Sequence, residues 1–146
     1  MSKVDANSQS EARSGAPVWR ARLIALVAAG VGAALVSVIG SAVGAEMVAT
    51  PSGREPTAIG PVISLVMALF AGGLGWLARA VLDRFAPRRA VPVWLIGAAV
   101  VFLVEMFPPF FSDASTGTTV VLIVMHVVVA AILVPVLGRP RKDREA

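Results

Sequence analysis

The chain contains no cysteine. That excludes a structural disulfide, a thiolate metal site, thiol–disulfide exchange and a cysteine nucleophile. It contains one histidine, His126, and a single imidazole cannot build a usual zinc site. Bis-histidine haem would need a second chain. Methionine does not rescue a copper reading, because Met125 and His126 are adjacent and point about 100° apart on a helix. A Ser–His–Asp set, a P-loop and a dinucleotide fingerprint are also missing. No catalytic, cofactor-binding or metal-binding residue is assigned, and the chain is not read as an enzyme.

Charge is equally scarce. A soluble domain carries about 25% charged residues, whereas this chain has 15% charged and 57% hydrophobic residues over 146 positions. Its surface must therefore be satisfied by lipid. The charges cluster and leave neutral gaps of 23 residues between Arg22 and Glu46, 23 between Glu55 and Arg79, 15 between Arg89 and Glu105, and 25 between Asp113 and Arg139. Spanning the hydrocarbon takes about 20 apolar residues. Three gaps qualify directly, and the third does so if its helix continues to about Phe107. The expected fold is all-α, an integral membrane protein of four transmembrane helices over about 23–48, 59–82, 91–107 and 118–137. They form one domain, 19–138, between a disordered tail at 1–18 and a basic tail at 139–146. A cleaved signal peptide rivals the first span, with "SAVGA" (41–45) as its cleavage site. The apolar run of 23 residues exceeds the roughly 7–15 of such a segment, which favours a retained helix.

The isoelectric point of about 11.1 invites a nucleic-acid reading, but the placement of the basic residues argues against one. Lys3, Arg13, Arg20 and Arg22 precede the first span. Arg79, Arg84, Arg88 and Arg89 lie between the second and third, and Arg139, Arg141, Lys142 and Arg144 follow the fourth; only Arg54 lies on the other side. The positive-inside rule then puts both termini in the cytoplasm. Trp19, Trp76 and Trp94 fall at the same face, as interfacial anchors do. The expected location is the plasma membrane, with the bilayer and its inner anionic headgroups as partners.

The first two spans carry stripes of small residues. Ala29, Ala33, Ser37, Ser41 and Ala45 recur every four positions in the first, and Gly60, Ser64, Ala68 and Gly72 do so in the second. In lipid, close approach through small residues drives helix association. Ala33, Ser37, Ser41, Ser64, Ala68 and Gly72 are therefore the expected packing positions, between these helices or onto a second copy, with the serines bonding between helices. "FPPFF" (107–111) ends the third span, because adjacent prolines cannot continue a helix, and Thr118 or Thr119 is expected to cap the fourth. Glu46 ends the first span and reads as interfacial.

One polar pair stands out inside the apolar runs. At ~1.5 Å per residue, His126 lies roughly 12 Å below the outer end of its helix, and Glu105 roughly 24 Å above the inner side. An ionisable group within a membrane helix is a functional-site hypothesis by default, and Glu105 is the partner named for His126. The plainer reading makes His126 a packing element and leaves Glu105 facing the headgroups.

Gly75–Trp76 in the second span, Pro108–Pro109 closing the third and "MHVVVAAILVP" (Met125 to Pro135) in the fourth resemble a family of small four-helix membrane proteins from high-GC Gram-positive bacteria. That family is catalogued only as a domain of unknown function. The resemblance covers about residues 20–138 and implies topology and a membrane location, with His126 as a position the family shares. It carries over no catalytic residue. The favoured function is an accessory or structural membrane protein acting through self-association or a membrane partner; the stripes and the expected lack of buried charge support it. The alternative is a small oligomeric transporter or channel with a polar path at His126 and Glu105.

Overall fold

A computed structural model of the chain describes residues 17–50, 53, 55–107 and 113–140. Four helices carry the fold: α1 (Val18–Ala42), α2 (Pro61–Phe85), α3 (Ala90–Glu105) and α4 (Thr116–Leu137). All four, α3 with the short 3-10 turn Pro87–Arg89 before it, are long and apolar enough to cross a membrane. That marks the chain as a multi-pass membrane protein. Residues 1–16 and 141–146 of the two tails, Arg54 and the double proline of "FPPFF" lie outside the described residues, and Val18, expected in the first tail, begins α1.

The helices start and stop for local reasons. Pro61 occupies the first turn of α2 after the extended Gly60, a place where its missing N–H costs nothing. The cap of α4 is Ser115, whose Oγ accepts from the Thr118 N–H at 3.3 Å. Thr118 is thus not the cap. Its own hydroxyl is buried and accepts from the Met47 N–H at 3.1 Å.

α1 stops at Ala42 although the expected span continues to about Val48. Gly44, at φ +90°, and Met47, at φ 52°, turn the chain through the left-handed region. For Met47 this conformation costs about 1–2 kcal/mol, offset by its bond to Thr118 and by the Ile59 N–H donating to its carbonyl at 2.7 Å. The chain then forms a small antiparallel sheet that the apolar pattern did not suggest. Its strands are β1 (Val48–Thr50), β2 (Thr57–Ala58) and β3 (Asp113–Ala114), in the order β2–β1–β3. Val48 pairs with Ala58, and Thr50 with Asp113. The sheet closes the end of the bundle opposite the arginine-rich turn.

α1 packs lengthwise on both α2 and α4, so these three helices make the core. Its buried stripe reads Arg22, Ala25, Ala29, Ala33, Ser37, Gly40. Strict four-residue spacing drifts around a helix by about 40° per step. Ser41 is therefore turned about 120° from Ala29, while Gly40 is only about 20° away. Ser41 is exposed, and Gly40 takes its place against Val121. A Cβ added to Gly40 would meet the Val121 methyls at 2.7 and 2.8 Å. On α2 the buried positions are Ser64, Ala68, Gly72 and Arg79. A Cβ on Gly72 would meet Leu26 of α1 at 2.5 Å and Leu133 of α4 at 2.9 Å.

The serine hydroxyls bond differently from the expected helix-to-helix pattern. Ser37 donates across to the Ile59 carbonyl at 2.9 Å, but Ser41 and Ser64 donate to Ser37 and Gly60, four residues back in their own segments. α3 sits outside this core. It buries only Ala90 and Trp94, both in its first half, with the indole over Gly75 of α2 and beside Gly138.

Candidate functional site

The small-residue stripes of α1 and α2 end in arginines at the same end of the bundle. Arg22 lies seven residues before Ala29, and Arg79 seven after Gly72; seven residues return to within about 20° of the same face. Arg79 is the largest fully buried side chain, 1% exposed, and Arg22 is 6% exposed. Asp83, one turn beyond Arg79, joins them: its Oδ1 accepts from Arg79 Nη1 and its Oδ2 from Arg22 Nη2, the latter at 3.1 Å. Arg79 Nε donates to the Leu137 carbonyl at 2.8 Å, and Nη2 to that of Arg139 at 3.4 Å.

The guanidinium thus satisfies orphan carbonyls at the C-terminus of α4, where the helix dipole favours positive charge. One carboxylate joins arginines of α1 and α2, and Arg79 carries the link on to α4. The expected lack of buried charge does not hold at this end. Two buried donors nearby, Arg22 Nε and the Trp94 indole N–H, have no partner among the described atoms.

The second polar constellation is the pair named from sequence. His126 Nε2 and Glu105 Oε2 lie 3.8 Å apart, with side chains 33% and 54% exposed. His126 is ten residues into the 22-residue α4, so it sits ~15 Å from either end. Glu105 ends α3 at that level. The pair is on the lateral surface of α3 and α4, not in the core, and His126 Nδ1 lies 2.7 Å from the Leu122 carbonyl.

The remaining named residues are packing positions. Ala33, Ser37, Ser64, Ala68 and Gly72 are buried between α1, α2 and α4. At the sheet end a cavity of about 490 Å³ is lined by Glu46, Val48, Thr50, Pro56, Asp113, Ala114 and Ser115. Among the described residues, no three acidic, histidine or cysteine side chains gather as metal ligands.

Sequence comparison places this arrangement in a family. A family model matches residues 13–143. The chain belongs to DUF6069, a family of unknown function. In this DUF6069 chain the match takes in all four helices, the arginine–aspartate cluster and the His126–Glu105 pair. No curated protein and no solved structure matches it.

Missing from the sequence reading were Arg22, Arg79 and Asp83 as a buried unit. A signal for them exists: each arginine continues a small-residue stripe at heptad distance, and Asp83 follows Arg79 at i+4, where side chains meet.

Proposed function

We propose that this DUF6069 member is an accessory protein of the plasma membrane in a high-GC Gram-positive bacterium, and that it works by lateral helix association rather than catalysis. Both termini and the arginine-rich turn face the cytoplasm, where anionic headgroups meet the basic residues. The observation that carries this reading is the unpartnered surface of α3. Val93, Ile96, Val100, Val101, Leu103 and Val104 are all exposed, and Glu105 stands half exposed among them at membrane depth. The small-residue stripes are consumed inside the core; α1 and α2 also expose large apolar side chains, but among the described helices α3 is the one that carries an exposed carboxylate within such a face. A carboxylate in hydrocarbon is costly, and a partner covering it would remove that cost.

The absence of cysteine makes the test direct. Single cysteines at Val101 and Val104, and at Phe70 on the outward face of α2 as a control, would be cross-linked in native membranes. Adducts confined to the α3 positions are expected, either with a second copy or with another membrane protein. Equal adducts at Phe70, or none at α3, would sink the proposal. In the same series, impermeant maleimide applied to whole cells should label Glu55→Cys and spare Phe85→Cys.

A second reading, a small oligomeric transporter or channel, draws on the approach of His126 to Glu105. Flux through reconstituted vesicles that disappears in His126→Leu would support it over the first.

A further inference from the structure

The arginine-rich end holds more positive charge than its own contacts neutralise. Arg22 and Arg79 are both buried and share one carboxylate, that of Asp83, so one positive charge of the trio is left over. Arg20, Arg84, Arg88, Arg89 and Arg139 stand exposed around them, and Asp83 is the only acid at this end among the described residues. A buried charge without a counter-charge is costly.

The two guanidinium groups are engaged unequally. Arg79 donates from three nitrogens: Nε and Nη2 to the carbonyls of Leu137 and Arg139, and Nη1 to Asp83. Arg22 gives Asp83 only Nη2, at 3.1 Å. Its Nε lies on the same edge of the group, is buried, and has no partner among the described atoms. Nε and Nη2 together form the two-pronged edge that fits a carboxylate or a phosphate, and Asp83 takes one prong. The Trp94 indole N–H, buried at the same end beside Gly138, is a second donor without an acceptor. A water would satisfy an N–H but leave the charge, whereas an oxyanion answers both. The Arg22 side chain keeps 7% of its surface open, and it lies four residues after Val18, the start of α1. A small rotation of its terminal bonds turns the free prong toward the headgroup layer.

We propose that Arg22, with Arg79 and Asp83 behind it, binds one phosphate oxyanion, carried by an anionic phospholipid headgroup or free as inorganic phosphate. Asp83 orients the Arg22 guanidinium, and the surplus of arginines outweighs its negative charge. Both leaflets carry phosphate, so the site depends neither on the orientation of the bundle nor on what covers α3.

Thermal unfolding of the full chain in maltoside micelles, which contain no phosphate, tests this. The probes are phosphatidylglycerol, diacylglycerol with the same tails and no phosphate, and inorganic phosphate. Chloride is kept high to screen the exposed arginines. Phosphatidylglycerol or inorganic phosphate should raise the Tm, and diacylglycerol should not. Arg22→Lys keeps the charge beside Asp83 but loses the fork, and should raise the concentration required about tenfold, the weight of one charge-assisted hydrogen bond. Arg88→Lys, the same change on an exposed arginine, should leave it unaltered. A rise with phosphatidylglycerol alone assigns the site to a headgroup, and a rise with inorganic phosphate as well assigns it to the oxyanion in either source. No rise with either, a rise matched by diacylglycerol, or a rise that Arg22→Lys leaves intact overturns the proposal. The wild-type response is decisive even if the variant fails to fold.

Discussion

α1 and α3 are both apolar helices of one bundle, yet they do opposite things. In the most apolar stretch of α1, 33% of residues are buried, against 11% for the span ending in α3. The difference lies in side-chain size rather than hydropathy. α1 presents Ala25, Ala29, Ala33, Ser37 and Gly40 to its neighbours, whereas α3 presents valine, leucine and isoleucine outward, away from the bundle. Lipid is as apolar as leucine, so greasiness alone gives a helix no reason to leave it. Close backbone approach and a few satisfied polar contacts decide which helices form the interior.

The largest test of that contrast lies at the arginine-rich end. Asp83→Ala removes the one carboxylate between two buried arginines, and such a loss costs about 3–5 kcal/mol. Thermal unfolding in detergent should show it as the most damaging single change of the series. Gly40→Val comes next, because the added bulk collides with Val121, itself a stiff β-branched side chain. Overpacking of this kind costs about 1–3 kcal/mol, and equilibrium unfolding in mixed micelles would register it. Ser37→Ala deletes the bond to the Ile59 carbonyl and should lower stability by about 0.5–1.5 kcal/mol, while Ser41→Ala on the exposed side should be silent.

The smallest effect belongs to α3. A Cβ on Gly97 meets nothing within 4 Å, so Gly97→Ala should be neutral or stabilise by up to about 1 kcal/mol through helix propensity. A destabilising Gly97→Ala would mean that α3 is packed more tightly than its exposed face indicates.

Much of this architecture can be read from charge gaps and stripes. Four apolar helices and their order follow from where charges are missing; along the small-residue stripes Ala33, Ser37, Ser64, Ala68 and Gly72 are buried and Ser41 is exposed. Ser41 turns outward because four-residue spacing and a 3.6-residue turn fall out of step. Strands of two or three residues carry no periodicity to detect, so the sheet is invisible beforehand. Arg22 and Arg79 were placed with the interfacial charges because they border the neutral gaps. Their burial depends on Asp83 and on the far end of α4, partners 61 and 58 residues away in sequence. The level shared by His126 and Glu105 is legible from helical rise, but the lateral exposure of the pair is not.

The order in which the helices are made gives the Arg79–Leu137 bond a further meaning. α1 and α2 emerge first and can close on each other, but the groove beside Gly40 and Gly72 stays open until Val121 and Leu133 arrive. The Arg79 guanidinium likewise waits for a carbonyl that is synthesised 58 residues later. α3 passes through in between and adds little to either. Completion of this bundle is thus tied to α4, and a nascent chain stopped before α4 carries an arginine whose docking point does not yet exist.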